Sequence, residues 1–257
     1  MATRPIVNIA AYKFVGIPQP VEFIAPLKEK CQQFNLKGTI VLSVEGINLF
    51  LAGTRESIDE FLYYLRGDKL FQQRFHDLPI KESLSDNQPF GKMVVRVARE
   101  IITMRHPTIR PEGGRALAVD AVTLNQWLQQ GHDDEKREIV LLDTRNEFEV
   151  EVGTFKGAVD LGLTKFSEFP EAVRDAMDSD RSLKDKTIVS FCTGGIRCEK
   201  AALYLQELGH PKVLQLDGGI LHYFEDVGDA HFKGDCFVFD ERVALNPKLR
   251  PVRFKKV

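Results

Sequence analysis

Of the four cysteines in this 257-residue chain, Cys192 stands where a thiol can be activated. It follows the apolar, β-branched run Thr187–Phe191 and precedes the compact segment Thr193-Gly194-Gly195-Ile196-Arg197; helical spacing resumes at Cys198 and continues to Leu208. The pattern predicts strand, tight loop and helix. Two adjacent glycines permit positive φ, so the loop can aim N–H groups inward, and the first turn of the helix adds donors without intrahelical partners. Those dipoles and the Arg197 guanidinium favour the thiolate over the thiol. Cys192 is therefore the candidate catalytic nucleophile, with Thr193, Gly194, Gly195, Ile196 and Arg197 as its active-site loop. A cysteine that merely closes a strand is the bland alternative, and it accounts poorly for the glycine pair, the arginine and the helix start arriving together. Cysteine phosphatases use Cys-x5-Arg, whereas Cys192 to Arg197 is Cys-x4-Arg. The smaller ring suits one extra sulfur atom, whose persulfide anion the inward N–H groups would stabilise.

Three further residues support this loop. Cys198 begins the helix and is placed either to resolve an oxidised Cys192 or to pack the helix against the sheet. Asp143 and Arg145 end the apolar strand EIVLLDTRN, on the side of a parallel sheet where ligands bind. We expect them to orient the loop through an ion pair with each other or with Glu149 rather than to enter the chemistry. Cys236 lies on an apolar segment and is expected to be buried. No CxxC pair and no HxH or HxxxH spacing occurs, so no metal site is expected.

The elements that must position these residues form two series. The first hundred residues read as strand (Ile6 to Phe14), helix (within VEFIAPLKEKCQQF), two strands around the turn Val44-Glu45-Gly46-Ile47, helix (TRESIDEFLYYLRG) and strand, with LPIKES and KMVVRVAREI completing the set. The order β-α-β-β-α-β is the ferredoxin-like (acylphosphatase-like) pattern. From Asp120 onwards strands and helices alternate, with Asp120 as a helix cap and Val122, Trp127 and Leu128 on its buried side, which predicts an α/β domain with a mostly parallel sheet. Gly153 and Gly157 read as turn points. The expected boundaries are 1–102 for the first domain, 103–118 for a linker, 119–230 for the second domain and 231–257 for a C-terminal extension with a basic tail.

Composition sets the setting. At 43% hydrophobic and 28% charged the chain can build real cores, and no apolar run approaches the roughly 20 residues of a membrane span. With 35 basic and 37 acidic residues there is no global attraction to nucleic acid, so any such partner must be held by local patches. Two patches qualify: Lys92, Arg96, Arg99 and Arg105, where Lys92 and Arg96 alternate onto one strand face, and the tail residues Lys248, Arg250 and Arg253. Each reads equally as a solvated edge or terminus. The start MATRPIVNIA lacks a signal-peptide build, and a cytoplasmic location with reduced thiols and no membrane partner is expected.

DTRNEFEVEVGTFKGAV and FCTGGIRCEKAALYLQELG resemble a rhodanese domain, in which Cys192 would carry the persulfide and Thr193 to Arg197 its cradle. Gly153-Thr154 stands where that motif usually has Gly-His. KGTIVLSVEGIN, EVEVGTFKGAV, FCTGGIRCEK, LDGGIL and GDCFVFDERV, in this order, are similar to the rhodanese-type tRNA uridine hydroxylases. Longer members continue past FVFDERV into a cysteine-containing tail, and this sequence ends at Val257. The resemblance implies a ferredoxin-like domain before a rhodanese domain, tRNA as partner, and oxygen-dependent 5-hydroxylation of the wobble uridine, with molecular oxygen as co-substrate. No other cofactor is identifiable: GxGxxG and two-His-one-carboxylate patterns are missing. The alternatives are a sulfurtransferase taking sulfur from a small-molecule donor, which would need only the second domain, and a non-catalytic tRNA-binding or sulfur-sensing module.

Overall fold

A computed structural model describes residues 5–252. The chain divides into two compact units, one running to Ile102 and taking in Asp240–Arg242, the other starting at Thr103 and resuming at Val243. The 103–118 segment lies within the second unit and is not a free tether: Met104, Ile109 and Ala116 are buried, and Thr108 donates a 2.5 Å hydrogen bond to Glu207.

The first unit contains β1 (Ile6–Phe14), α1 (Ile24–Gln33), β2 (Lys37–Ser43), β3 (Gly46–Gly53), α2 (Arg55–Gly67), β4 (Lys81–Ser85) and β5 (Met93–Val97). The sheet order is β4-β1-β3-β2-β5. β1, β2, β3 and β4 make the ferredoxin-like arrangement, all pairs antiparallel, and β5 adds a fifth strand parallel to β2. The short edge strand Lys81–Ser85 completes the expected four, and KMVVRVAREI supplies the extra one. At the β2–β3 turn Gly46 has φ +151°, and a Cβ there would lie 2.1 Å from the Lys13 carbonyl oxygen, so the hairpin packs against β1 only with glycine. Thr54 caps α2 by accepting the Ser57 N–H, and Ile58, Phe61 and Leu65 turn inward onto a core with Ile9, Leu49, Phe71 and Phe75.

The second unit contains β6 (Ala118–Val119), α3 (Ala121–Gln130), β7 (Ile139–Asp143), α4 (Glu147–Val150), β8 (Gly153–Phe155), β9 (Val159–Asp160), α5 (Phe169–Ser179), β10 (Thr187–Phe191), α6 (Ile196–Glu207), β11 (Val213–Leu216), α7 (Gly219–Asp226), β12 (Phe232–Gly234), β13 (Cys236–Phe237) and β14 (Ala244–Leu245). Its main sheet, β6-β11-β10-β7-β9, is parallel at every pairing. Every residue of the central strand β10 is buried, as an apolar run in a sheet covered on both faces requires. α3 packs on α7 and α5 on α6.

Two expectations about this unit change. Val122 is 49% exposed, because the Asp120 cap, which accepts the Thr123 N–H, rotates Ala121, Leu124 and Trp127 onto the buried face instead. Gly153 is no turn point; it is a strand residue of β8, and a Cβ there would meet the Asp235 carbonyl oxygen at 2.4 Å and that of Lys233 at 2.6 Å. Gly157, with φ +75°, does turn the chain.

Candidate active site

The site lies at the C-terminal end of β10. β7 and β10 pair in parallel with Phe191 beside Asp143, so the two strands deliver Cys192 and the Asp143–Arg145 segment to the same edge of the sheet. After Cys192 the chain turns through Gly195, whose φ of +96° makes it the left-handed N-cap of α6. Of the two glycines, Gly195 takes the positive φ and Gly194 does not. A Cβ at Gly194 would meet nothing within 4 Å, so that position faces open space.

The Cys192 sulfur is enclosed, with the residue 1% exposed. The Gly195 N–H donates to it at 3.1 Å, and the Cys198 thiol and the Arg197 charge and main-chain N–H act on its ionisation. Burial alone would push this thiol up; the Cys198 hydrogen bond, the Arg197 charge and the two backbone donors outweigh it and bring Cys192 down to about 5. Cys198 moves the opposite way, raised first by burial and then by its thiolate neighbour. The two thiols are thus pushed apart, Cys192 toward the thiolate and Cys198 toward the protonated thiol. Thr144 Oγ1 lies 4.0 Å from the Cys198 sulfur.

Arg197 is held by a carboxylate 48 residues upstream. Its Nη1 and Nη2 donate to the Glu149 oxygens at 2.6 and 2.7 Å, a bidentate pair with both side chains buried. Burial disfavours the guanidinium charge, and Glu149 more than compensates, so Arg197 stays protonated. Its Nε is buried without an acceptor among the described residues. An orphaned N–H on a fixed cation beside a thiolate is a ready donor for a negatively charged ligand atom.

Asp143 and Arg145 form the second buried pair, and Arg145 is fully enclosed. Asp143 accepts from Arg145 Nη2 at 2.6 Å, Arg145 Nε at 2.9 Å and Thr154 Oγ1 at 2.7 Å. Arg145 Nη2 reaches on to the Gly153 carbonyl at 2.6 Å, tying β7 to β8. Of the two partners open to Arg145, Asp143 takes the ion pair, and the Glu149 carboxylate goes to Arg197.

A second wall of the loop comes from the turn in LDGGIL, a motif to which no site residue was assigned from the sequence. Gly218 and Gly219 both have φ +69°, and the Ile220 and Leu221 N–H groups donate to the carbonyls of Cys192 (2.9 Å) and Thr193 (3.1 Å). A Cβ on Gly219 would sit 2.4 Å from the Cys192 carbonyl oxygen and 2.7 Å from the Gly195 nitrogen. The Gly-Gly pair between a strand and a helix, a repeat of the Gly194-Gly195 pattern, was the available signal. Beside the loop, Phe148, Phe237 and Phe239 stack edge to face with centroids 5.1 and 5.2 Å apart, and the Arg197 guanidinium sits 6.0 Å from the Phe239 centroid. Phe148 and Phe239 are 43% and 51% exposed. Cys236 is buried and raised to about 12 by desolvation, as an inert thiol.

Lys92, Arg96 and Arg99 are exposed in the first unit, Arg105 is exposed in the second, and Lys248 and Arg250 occupy an exposed turn where Asn246 Oδ1 accepts both their N–H groups. Arg253 lies outside the described residues. No helix among the described residues is long and apolar enough to cross a membrane.

Comparison with known proteins matches residues 6–101 to the UPF0176 acylphosphatase like domain and residues 124–226 to the Rhodanese-like domain. Similar full-length relatives include the tRNA uridine(34) hydroxylases of Paraburkholderia xenovorans and Paraburkholderia phytofirmans, each 58% identical over 246 residues, covering 96% of this chain and 85% of the relative. That of Burkholderia ambifaria is likewise 58% identical, with 86% of its length covered.

Proposed function

Because the chain belongs to the tRNA uridine(34) hydroxylase family, we propose that its Cys192 cradle performs the oxygen-dependent 5-hydroxylation of the wobble uridine of tRNA. The observation that carries this reading is a buried cysteine sulfur held by the Gly195 N–H at the mouth of a loop whose Arg197 is clamped by Glu149 with its Nε–H unpartnered among the described residues. A thiolate adding to C6 of a uracil ring sends negative charge toward C5 and the O4 oxygen, and makes C5 reactive toward an electrophilic oxidant. The Arg197 Nε–H and the loop amides at Gly194 and Gly195 are the donors that would hold that charge. Departure of the thiolate afterwards restores the ring double bond.

Phe148 and Phe239 offer the base a stacking surface beside the loop, a mode that suits any exposed pyrimidine of single-stranded RNA. Lys92, Arg96, Arg99, Arg105, Lys248, Arg250 and Arg253 are proposed phosphate contacts, which position the RNA without reading its sequence. Since reduced thiols and tRNA coincide in the cytoplasm, we place the protein there.

A reconstitution with labelled dioxygen tests this. Purified protein, unmodified tRNA and a thiol reductant are expected to yield 5-hydroxyuridine carrying the label, and the Cys192→Ser variant none. Label-free product, with oxygen drawn from water, would refute the oxygenase reading. A sulfurtransferase remains the competing chemistry because the Cys-x4-Arg ring is sized for a single sulfur atom. Rapid thiosulfate-to-cyanide turnover without any hydroxylated nucleoside would favour it.

A further inference from the structure

The first unit holds no part of the cradle, yet one face of its sheet combines aromatic rings with cations. Strand pairing sets two neighbouring rows across that face: Lys81, Ala10, Phe50, Thr39 and Val94 in one, Tyr12, Asn48, Val41 and Arg96 in the next. Both rows point away from the core, because the residues that alternate with them, among them Ile9, Ile40, Leu49, Leu51 and Val95, are buried in it. The two ends of the face are covered within the unit. At one end Gln88 Nε2 donates to the Ala52 carbonyl at 3.0 Å, and Arg242, itself paired with Asp240, donates to Ser83 Oγ at 2.6 Å. At the other, Asn48 Nδ2 donates to the Ile101 carbonyl at 3.1 Å. Between them Ala10, Tyr12, Phe50 and Thr39 are half-buried and Arg96 is exposed.

Phe50 and Tyr12 are diagonal neighbours on adjacent strands, a separation of roughly 7–8 Å. Two rings so placed on a sheet can each take one unpaired base, the mode by which sheet aromatics bind single-stranded RNA. The charges agree with that ligand. Lys37, which alternates with Thr39, joins Lys81 and Arg96 on this face, and Lys81 Nζ lies 5.4 Å from the Tyr12 centroid, where the phosphate of a stacked nucleotide would find it. The one carboxylate in the five strands, Glu82, alternates onto the helix side and pairs there with Arg55 of α2. In a chain of net charge -2, a face whose strands offer cations and no acid is the local patch that RNA requires.

We propose that this face binds an unpaired segment of the tRNA, with Phe50 and Tyr12 stacking on two of its bases and Lys37, Lys81 and Arg96 meeting its phosphates. This rests on reading tRNA as the substrate, and it gives the unit without the reactive cysteine a part in holding that substrate. Stacking accepts any base and requires only that its face be open, so duplex RNA is not the ligand of the two rings.

The test measures the affinity of full-length protein for unmodified tRNA across a range of salt. Phe50→Leu is expected to weaken binding about 10-fold without changing the salt slope, since stacking releases no counterions, and Phe50→Tyr to stay within about threefold of native. The Lys37→Ala/Lys81→Ala double variant is expected instead to flatten the slope by about 0.7–0.9 per residue removed. Ultraviolet crosslinking of the native complex, followed by peptide mapping, is expected to place RNA adducts on Phe50 or Tyr12. Thermal midpoints check that the variants fold, and if leucine unsettles the sheet the crosslink on native protein decides. Native affinity in a folded Phe50→Leu overturns the proposal. So does a loss in Phe50→Tyr as large as in Phe50→Leu, or the lack of any adduct on β1 and β3. If the native protein itself fails to bind tRNA, the reading of tRNA as substrate falls first and takes this one with it.

Discussion

Cys192 is an acid pulled in two directions, and the balance can be measured. Burial opposes its charge, while Cys198, Arg197 and the loop amides favour it, with Cys192 near 5 as the result. The difference in ultraviolet thiolate absorbance between the native protein and Cys192→Ser is expected to persist down to about that pH and vanish below it. The sign follows from a depressed value: the thiolate is present above the folded-state figure and lost as pH falls through it. A midpoint near the ordinary value of about 8.5 would show that the cradle does not activate the thiol. Arg197 owes its position to Glu149, since its two terminal nitrogens both go to that carboxylate and leave only Nε for a ligand. Arg197→Lys keeps the charge but loses the fork and Nε, so hydroxylation is expected to fall about 10²-fold, read as product formed per unit time. Glu149→Ala leaves a buried cation alone, and denaturant unfolding is expected to show a loss of about 3–5 kcal/mol. The sequence exposed Cys192, Arg197 and Cys198 because they act within one short window. It left Glu149 as one of two partners for Arg145, because a pair that spans 48 residues is set by how β7 and β10 lie side by side.

At the scale of elements, one Gly-Gly pair lies within the loop and a second, Gly218-Gly219, packs against it, and their glycines differ in role. Gly195 and Gly219 both take left-handed φ, and Gly219 also faces the Cys192 carbonyl at a distance no Cβ tolerates. Gly219→Ala is expected to lower the thermal midpoint and abolish activity together, because the loop must shift to admit the methyl group. Gly194→Ala meets no atom, so its midpoint is expected to stay near native while activity drops if the open space at that position is where the base enters. Equal unfolding midpoints for both variants would contradict the geometry. The alternating series of strands and helices was legible from periodicity and turn residues, down to the Asp120 cap. What escaped was partnership: that β4 and β5 are separate strands at opposite edges, and that Gly153 serves a close approach to Lys233 and Asp235, depend on which segments become neighbours. No local pattern encodes that.

At the scale of the whole molecule, a net charge of -2 leaves RNA binding to scattered basic residues. Lys248 and Arg250 are exposed on the turn after β14. If both contact phosphates, the double alanine variant is expected to flatten the slope of log affinity for tRNA against log salt by about 0.7–0.9 per residue removed. An unchanged slope would take this turn out of the interface. The motifs read along the chain point to the same family as the relatives aligned over 96% of it, whereas the residues that meet the RNA remain the least legible part, since surface cations look alike whether or not they bind. The claim that organises all of this is that one cysteine, in one loop, modifies one base. It is tested most directly in cells deleted for the gene and supplied with either the native chain or Cys192→Ala, with 5-hydroxyuridine in total tRNA quantified by nucleoside mass spectrometry. The account predicts restoration by the native chain and none by the variant, and full hydroxyuridine content with Cys192→Ala would contradict it.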